Sequence, residues 1–534
     1  MRNPLGILGL GLVLGVVPLS AQLYPQSPIS SVTWSEHVAG IIYTNCTGCH
    51  RPGEAAPFPL TNYAEAKRKA KTIAKVTQLQ TMPPWHAEPG FGHFVDERRL
   101  RQAQIDLLSA WIEQGAPEGD PAKAPPLPKF PAGWQLGEPD LVLQMPDPFT
   151  VPADGPDIYR NFVLPLALPE DRWITAIEVR PTARRVVHHI LFFLDETREA
   201  RGMDGKDGQP GFRGMNLRRG GEGGGLVGGG GSSLGGWAVG ATPRRMPEDL
   251  ALPLPKQSDL VLQTHFHPSG KVEHEQTTIG LYFGKGKPKR TIVPLQEPPF
   301  FGLMAGIDVP PGKTDFTIRD SFVLPVAVEA ISIGGHAHYI CAEMKATATL
   351  PGGKQEPLLW IRRWDFNWQD RYQYAEPIAL PAGTKVDVEL RYDNSADNPK
   401  NPFSPPRRIR WGRESTDEMG SITLALLPSD ERDLQKLTNA IRQHSSRAGR
   451  GQISQLGLPL VQQIRELDTN GDGRLSRDEI PERMRRMLLR ADRNRDGELD
   501  RDEIATALKA LGVREDDLAP ASRPSTNPDR ETRR

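Results

Sequence analysis

Cysteine is nearly absent: the chain of 534 residues has three, Cys46, Cys49 and Cys341. The first two stand beside a histidine in one short motif, so a disulfide framework is excluded and stability has to come from packed cores. Net charge is absent as well, with 66 basic against 66 acidic side chains. A neutral chain has no broad attraction for nucleic acid or an anionic membrane, so no nucleic-acid partner is expected and ligands must be held by local sites. Long apolar runs are confined to residues 5–19, after Met1 and Arg2 and before Ser20-Ala21-Gln22. At ~1.5 Å per residue that run is shorter than the ~30 Å hydrocarbon core, and its pattern is that of a cleaved signal peptide over residues 1–21, with a membrane anchor as the alternative. An exported protein, periplasmic or secreted, is the expectation.

Glycine and proline are plentiful, 52 and 51 residues, and they punctuate the chain into segments. Residues 34–118 have helical spacing, with an Ala/Lys-rich helix expected over 63–79 and a closing helix carrying Ile105, Leu108 and Ile112. Residues 119–133 hold too many prolines for a core element and read as a semi-rigid linker. From 134 to 430 the signals are short β-rich runs, at 140–145, 186–194, 259–267, 277–283, 326–333 and 385–392. That length exceeds one ordinary sandwich, and the Lys/Pro-rich stretch 284–299 is the best seam, giving β-sandwiches over 134–285 and 286–430. The run 220–236 is almost all glycine and serine and is expected to be a flexible loop without function. Residues 513–534 have a disordered composition.

Cys46-Thr47-Gly48-Cys49-His50 is a CxxCH motif, the pattern by which two thiols form thioethers to a haem and the next histidine reaches the iron. A second axial ligand is expected from Met82 in Thr81-Met82-Pro83-Pro84-Trp85, with His86 and His93 as competitors. With Trp111 in the closing helix, the segment 34–118 resembles a small all-α cytochrome c domain. The resemblance implies one covalent haem c and an external electron donor.

Six histidines fall in three tight clusters of the β-rich region: His188-His189, His265-Phe266-His267 and His336-Ala337-His338. Residues i and i+2 of a strand face one way, so His336 and His338 can close on one ion, whereas His188 and His189 need a bulge or a strand end. Imidazole alone leaves the metal open among Zn, Cu, Fe and Ni. In order, VHHILF at 187–192, VLQTHF at 261–266, GHAH at 335–338 and STDEM at 415–419 resemble the motifs of the copper type II, ascorbate-dependent monooxygenases. That family includes peptidylglycine alpha-hydroxylating and dopamine beta-monooxygenases, and the resemblance implies two jelly-roll-like sandwiches and two coppers. It makes His188, His189 and His265 the ligands of an electron-storing copper, with His267 as a rival to His265. His336, His338 and Met419 would hold the copper that meets O₂, and a thioether there favours Cu(I). The peptide-hydroxylating member binds its substrate's carboxylate with an Arg, an Asn and a Tyr, where this chain has Gly334, Ser421 and Thr423. Glycine cannot pair with a carboxylate, so peptide amidation is not expected. Cys341 reads as a small buried hydrophobe.

Two twelve-residue loops, from Asp468 and from Asp492, match the EF-hand pattern. Oxygen ligands are expected from Asp468, Asn470, Asp472, the Arg474 carbonyl, Ser476 and Glu479, and from Asp492, Asn494, Asp496, the Glu498 carbonyl, Asp500 and Glu503. Leu475 and Leu499 should pair between the loops, and the α-helical EF-hand pair spans 452–512. The expected whole is an exported oxidoreductase: an O₂-dependent copper monooxygenase acting on a C–H bond of an unknown small-molecule or peptide-like substrate. One haem, two coppers and two calcium ions serve it, and electrons enter through the haem. The alternatives are a copper-binding electron carrier without turnover and a calcium-stabilised surface-binding module. A zinc hydrolase is disfavoured by Met419, since thioethers are poor zinc ligands.

Overall fold

A computed structural model describes residues 31–213, 233–453, 474–480 and 491–510, apart from positions 55, 132, 156, 240, 413 and 478. The architecture is mostly β-sandwich. In the first sandwich a five-stranded antiparallel sheet runs in the order Phe212–Arg213, Ile158–Pro165, Asp259–Phe266, Val187–Asp195, Ser233–Ala238. It faces a four-stranded sheet ordered Leu141–Gln144, Thr278–Phe283, Arg172–Arg180, Leu252–Leu254. Ile190, Phe192, Leu262 and Leu281 lie in the core between them. The strand Asp259–Phe266 is buried at every position, because Val261 on its outer side is covered by Ala200 and Phe212. A strand covered on both faces loses the polar alternation of a half-exposed one.

The second sandwich packs the sheet Val293–Glu297, Gly420–Pro428, Val328–Ala337, Arg371–Leu380 on the sheet Phe316–Val323, Lys385–Tyr392, Cys341–Thr349, Gln355–Ile361. Lys385–Tyr392 alternates between solvent and core along its length, as period-2 geometry requires. The helix Leu434–Ile453 follows, and its Leu437 is fully buried in this second core. The helical unit comprises Trp34–Val38 running into Ala39–Asn45, then Tyr63–Arg68, Ala70–Gln78 and Gln102–Glu113 around Trp34, Ile42, Leu108 and Trp111. The helix expected over 63–79 is divided at Lys69, whose φ of −106° and ψ of 6° leave the helical region. Among the described residues no helix is long and apolar enough to cross a membrane.

Three expectations about organisation change. Residues 34–118 are not one self-contained unit: Ala87 bridges to Ile361, Phe94 bridges to Tyr374, and both are buried in the second sandwich's core. The chain from Pro84 to Arg99 therefore leaves the helical unit to cover an apolar edge and returns. Residues 119–133 do not hang free as a tether, because Lys123 pairs with Glu36 at 2.7 Å and the Arg51 guanidinium lies 4.1 Å from the Phe130 ring centre. The end of the glycine-rich run is a strand, Ser233–Ala238, paired with Val187–Asp195. Glycine suits it physically: a Cβ on Gly236 would stand 2.9 Å from Leu191 Cδ2 and 3.0 Å from the Ile190 carbonyl oxygen. Residues 1–21 and 513–534 lie outside the described residues.

Candidate metal centres

Alternation along a strand would send His188 and His189 to opposite faces, but the ladder with Asp259–Phe266 shifts register between Val187 and His189. His189 then stands opposite His265 across the ladder. The rings of His188 and His189 lie 4.7 and 4.9 Å from that of His265. Their Nδ1 atoms converge, with 3.1 Å between His188 and His189 and 3.4 Å between His189 and His265. His265 Nε2 meets the Asp157 carboxylate at 2.9 Å, so a neutral ring keeps its proton there and presents the Nδ1 lone pair to the other two. His267 sits on the other oxygen of Asp157 at 2.8 Å with its side chain 66 % exposed, which places it outside the trio.

Burial holds these imidazoles neutral. It pushes His188 down to about 4, His189 well below the usual histidine value, and lowers His265. Burial alone would raise Asp157, yet the hydrogen bonds from His265 and His267 hold it well below the usual carboxylate range. Three neutral nitrogens aimed at one point repel unless a proton or a cation lies between them. Such a nitrogen set can hold copper or zinc, and a carboxylate behind one imidazole is the usual outer partner of a metal-binding histidine.

The second cluster is built at the end of a strand pair. Ala337 opposes Gly420 and His336 opposes Ser421 at the end of the ladder, and His338 and Met419 are the next residues on its two sides, their N–H groups both bonded to the Glu418 carboxylate. Met419 is 2 % exposed. Gly420 is required here, since a Cβ would collide with the Tyr392 hydroxyl that donates to the Met419 carbonyl. His336 Nδ1 bonds Gln369 Oε1 at 2.7 Å and His338 Nδ1 bonds the Asp417 carbonyl at 3.2 Å, which leaves each Nε2 for another partner. Burial pushes His336 to about 4 and His338 to about 3. Glu418 is fully buried beneath them and accepts the backbone N–H groups of His338, Ile340 and Met419. Burial raises its carboxyl to about 8 against those hydrogen bonds.

One loop, 362–370, joins everything. Its Phe366, 2 % exposed, lies 5.8 Å from His188, 5.6 Å from His265 and 5.9 Å from His338 between ring centres. A single aromatic ring thus fills the space between the two histidine clusters. Trp364 Nε1 donates to the His338 carbonyl, Gln369 holds His336, and Asp370 pairs with Arg98 of the segment that returns to the helical unit, at 2.6 Å. Tyr339 of the second sandwich donates to Asp157 of the first.

In the helical unit the Cys49 and His50 N–H groups bond back to the Cys46 carbonyl, so the CxxCH segment is one tight turn with both thiols half-buried and unlinked. Burial, then the nearby Cys49, pushes the Cys46 thiol up to about 12, and burial raises Cys49 too. His50 Nδ1 bonds the Phe58 carbonyl at 3.0 Å and leaves Nε2 free for a second partner, the arrangement an axial ligand needs. Paired thiols with an anchored imidazole suit covalent haem attachment. Met82 lies half-buried after Ala70–Gln78 with its N–H on the Val76 carbonyl. His86 faces away, into the second sandwich's Asp365, Lys400 and Arg363, and burial lowers it. His93 is exposed, its carbonyl bonded to Ala375. Salt bridges from Glu54 to Arg51 and to Arg184 tie the CxxCH turn to the first sandwich, four residues before His188.

Of the calcium loops, Asp468, Asn470 and Asp472 lie outside the described residues. Leu475 and Leu499 exchange two backbone bonds of 2.9 Å. In the second loop the Asp492 carboxylate accepts the N–H of Gly497, whose φ of +88° is the turn only glycine takes without strain. Glu503 accepts the N–H groups of Arg493 and Asp500, and Asp496 and Asn494 hydrogen-bond each other. Arg474, Ser476, Glu479, Glu498 and Asp500 are in place around this bridge.

Asp157, Phe366, Gln369 and Glu418 escaped the motif reading. Glu418 alone had a signal, because it precedes Met419 in a run already singled out. The ladder partner of Gly334 is Arg371, whose Nε donates to Ser332.

The EF hand family model matches residues 460–482 and 484–509, which makes the C-terminal segment calcium-binding in character. No curated protein matches the chain. Among solved structures, an infectious bursal disease virus Gx strain structure is 6 % identical over 55 % of this chain and 73 % of that one, with a TM-score of 0.16. PNGF-II is 9 % identical over 54 % and 60 %, with a TM-score of 0.18. A Paenibacillus xanthan lyase is 11 % identical over 57 % and 28 %, with a TM-score of 0.13. At such scores none of the three assigns a fold.

Proposed function

We propose that this chain is an exported, O₂-dependent copper monooxygenase of the type II kind, with a c-type haem as the entry point for electrons. The observation that carries the reading is the pair of buried, neutral histidine clusters brought to either side of Phe366. His188, His189 and His265 would hold one copper, and His336, His338 and Met419 the other. When bound, copper supplies one-electron chemistry at each site, and haem supplies a third one-electron centre.

The chain's own residues do the rest. Asp157 fixes the proton of His265 on Nε2 and so aims its Nδ1. Gln369 and the Asp417 carbonyl hold Nδ1 of His336 and His338 in the same way. Glu418 accepts the N–H groups of His338, Ile340 and Met419 and so pins the backbone that carries two of the second site's ligands. Phe366 packs against rings of both clusters. Cys46, Cys49 and His50 would carry the haem, and the Arg98–Asp370 and Arg184–Glu54 salt bridges hold that turn against both sandwiches. Docking, and not a tether, is what supports electron entry through the haem.

The test is copper stoichiometry together with substrate-dependent O₂ uptake by haem-loaded, copper-loaded protein. Two coppers and O₂ uptake that rises with a substrate support the reading. Two coppers without O₂ uptake under any reductant would favour an electron carrier.

A further inference from the structure

We infer that the second sandwich holds a separate divalent-cation site of the zinc type, formed by Glu297, Asp320 and His444. The three donor atoms lie within 4.8 Å of one another, on three different elements. Glu297 ends the strand Val293–Glu297 and Asp320 lies on Phe316–Val323, the edge strands of the two facing sheets. His444 reaches them from the helix Leu434–Ile453, which lies across that open side of the sandwich. The site would pin a helix to both sheets at once.

The distances fit a small ion. His444 Nε2 is 3.0 Å from Glu297 Oε2 and 3.7 Å from Asp320 Oδ2. Donors at ~2.1 Å from a tetrahedral ion stand ~3.4 Å apart, between those two values. Glu297 is fully buried, and its Oε1 has no hydrogen-bond partner. An orphaned carboxylate oxygen in a dry site costs free energy that a cation would recover.

Charge points the same way. Two carboxylates and a neutral imidazole carry two negative charges, and a dication cancels both. Without the ion the site recruits protons instead: burial raises Glu297 to about 7, and the hydrogen bonds to Asp320 and Glu297 raise His444 to about 10. The groups acting most strongly on Glu297 and His444 are each other and Asp320, with no lysine or arginine among them. One nitrogen and two carboxylate oxygens form a donor set that zinc accepts and that soft Cu(I) does not prefer. This site is independent of the copper reading, since none of its residues touches the two histidine clusters.

The experiment counts zinc on the full chain after chelator stripping, with calcium present to fill the EF hands. The parent carries His188→Ala and His189→Ala so that the first cluster does not bind. Glu297→Gln, nearly isosteric, should lose one equivalent of Zn²⁺ relative to that parent, and Asp320→Asn should weaken binding tenfold or more. Zinc should also protect the helix 434–453 from proteolysis in the parent and not in Glu297→Gln. Equal zinc counts in the parent, Glu297→Gln and His444→Ala would overturn the inference and leave the trio as an ion-pair clasp held by the His444 proton.

Discussion

Lowering the pH from 7.5 to 5 should destabilise the copper-free sandwiches through the buried histidines, by an amount the structure bounds. An unfolded histidine takes its proton near 6.5, whereas folded His188 and His336 do so at about 4 and His338 at about 3. Between those values the unfolded chain binds more protons, so stability is fully present above 6.5 and falls as the pH drops toward the folded values. At pH 5 each ring is ~1.5 units below its unfolded pKa, worth about 2 kcal/mol at 1.36 kcal/mol per unit, or about 6 kcal/mol for the three. That compares with a total stability of about 5–15 kcal/mol for a typical domain. At ~2–4 °C per kcal/mol the histidine part alone is a drop of roughly 12–24 °C, read as the difference between the wild type and a variant without the three rings, because Glu418 and Glu297, raised to about 8 and about 7, gain stability as the pH falls through the same window. The assay is tryptophan fluorescence melting of chelator-treated protein at pH 7.5 and pH 5, beside the triple variant His188→Gln, His336→Gln, His338→Gln. Glutamine has no proton to take, so the acid-side loss due to these three rings should vanish in the variant, while the contributions of Glu418, Glu297 and His444 remain in both proteins. If both proteins lose the same melting temperature, the neutral-histidine account is wrong. His444 acts the other way in the upper part of the window: its folded pKa is raised to about 10, so its contribution is complete below 6.5 and is already falling at 7.5, in the wild type and the variant alike.

Four further outcomes are expected. Cys46→Ser with Cys49→Ser should abolish denaturation-resistant haem in cells with a c-type maturation system; retained covalent haem would rule out this motif. Met419→Ala should bind one copper fewer and keep the other site, while His188→Ala with His189→Ala should do the converse, as copper analysis of the two would reveal. Phe366→Ala should cost about 3–5 kcal/mol in chemical denaturation and admit water between the clusters, slowing haem reoxidation by O₂ in stopped-flow mixing; an unchanged rate would deny Phe366 any part in coupling them. Saturating Ca²⁺ at ~100 times its Kd should stabilise the C-terminal segment by about 2.7 kcal/mol, and Glu479→Ala with Glu503→Ala should erase the gain seen in calorimetry with and without chelator.

What could be read from the sequence was whatever a short spacing encodes. The HxH at 336–338 works through strand alternation alone, and the adjacent pair at 188–189 announced a bulge because alternation would otherwise separate the rings. The division into two sandwiches followed from strand count and from the lysine- and proline-rich seam at 284–299, although the last part of that stretch, Val293–Glu297, is a strand of the second sandwich. The boundary of the helical unit did not, because nothing local distinguishes Ala87 and Phe94 from residues packed at home. Their burial depends on the strands Gln355–Ile361 and Arg371–Leu380, more than 260 residues away. The docking of the linker was hidden for the same reason: proline content describes the backbone's stiffness and says nothing about whether Phe130 finds a guanidinium to lie against.

The loop 362–370 is the sharper case. Its residues Arg362-Arg363-Trp364-Asp365-Phe366-Asn367-Trp368-Gln369-Asp370 have no period and no motif, and taken alone they describe a polar turn with some aromatic content. Each of its contacts is ordinary: a ring among rings, an amide on an imidazole, a carboxylate on a guanidinium. Their importance comes from convergence, since Phe366 serves both clusters, Gln369 only the second, and Asp370 only Arg98. Asp157 is alike, reached by His265 and His267 from its own sandwich and by Tyr339 from the other. A metal-binding motif specifies the atoms that would touch an ion, and those must be spaced along one or two strands. The groups that orient those atoms need only arrive from any direction with a proton or a lone pair. Their positions are therefore free in the sequence and become determinate only when the two sandwiches and the helical unit are docked.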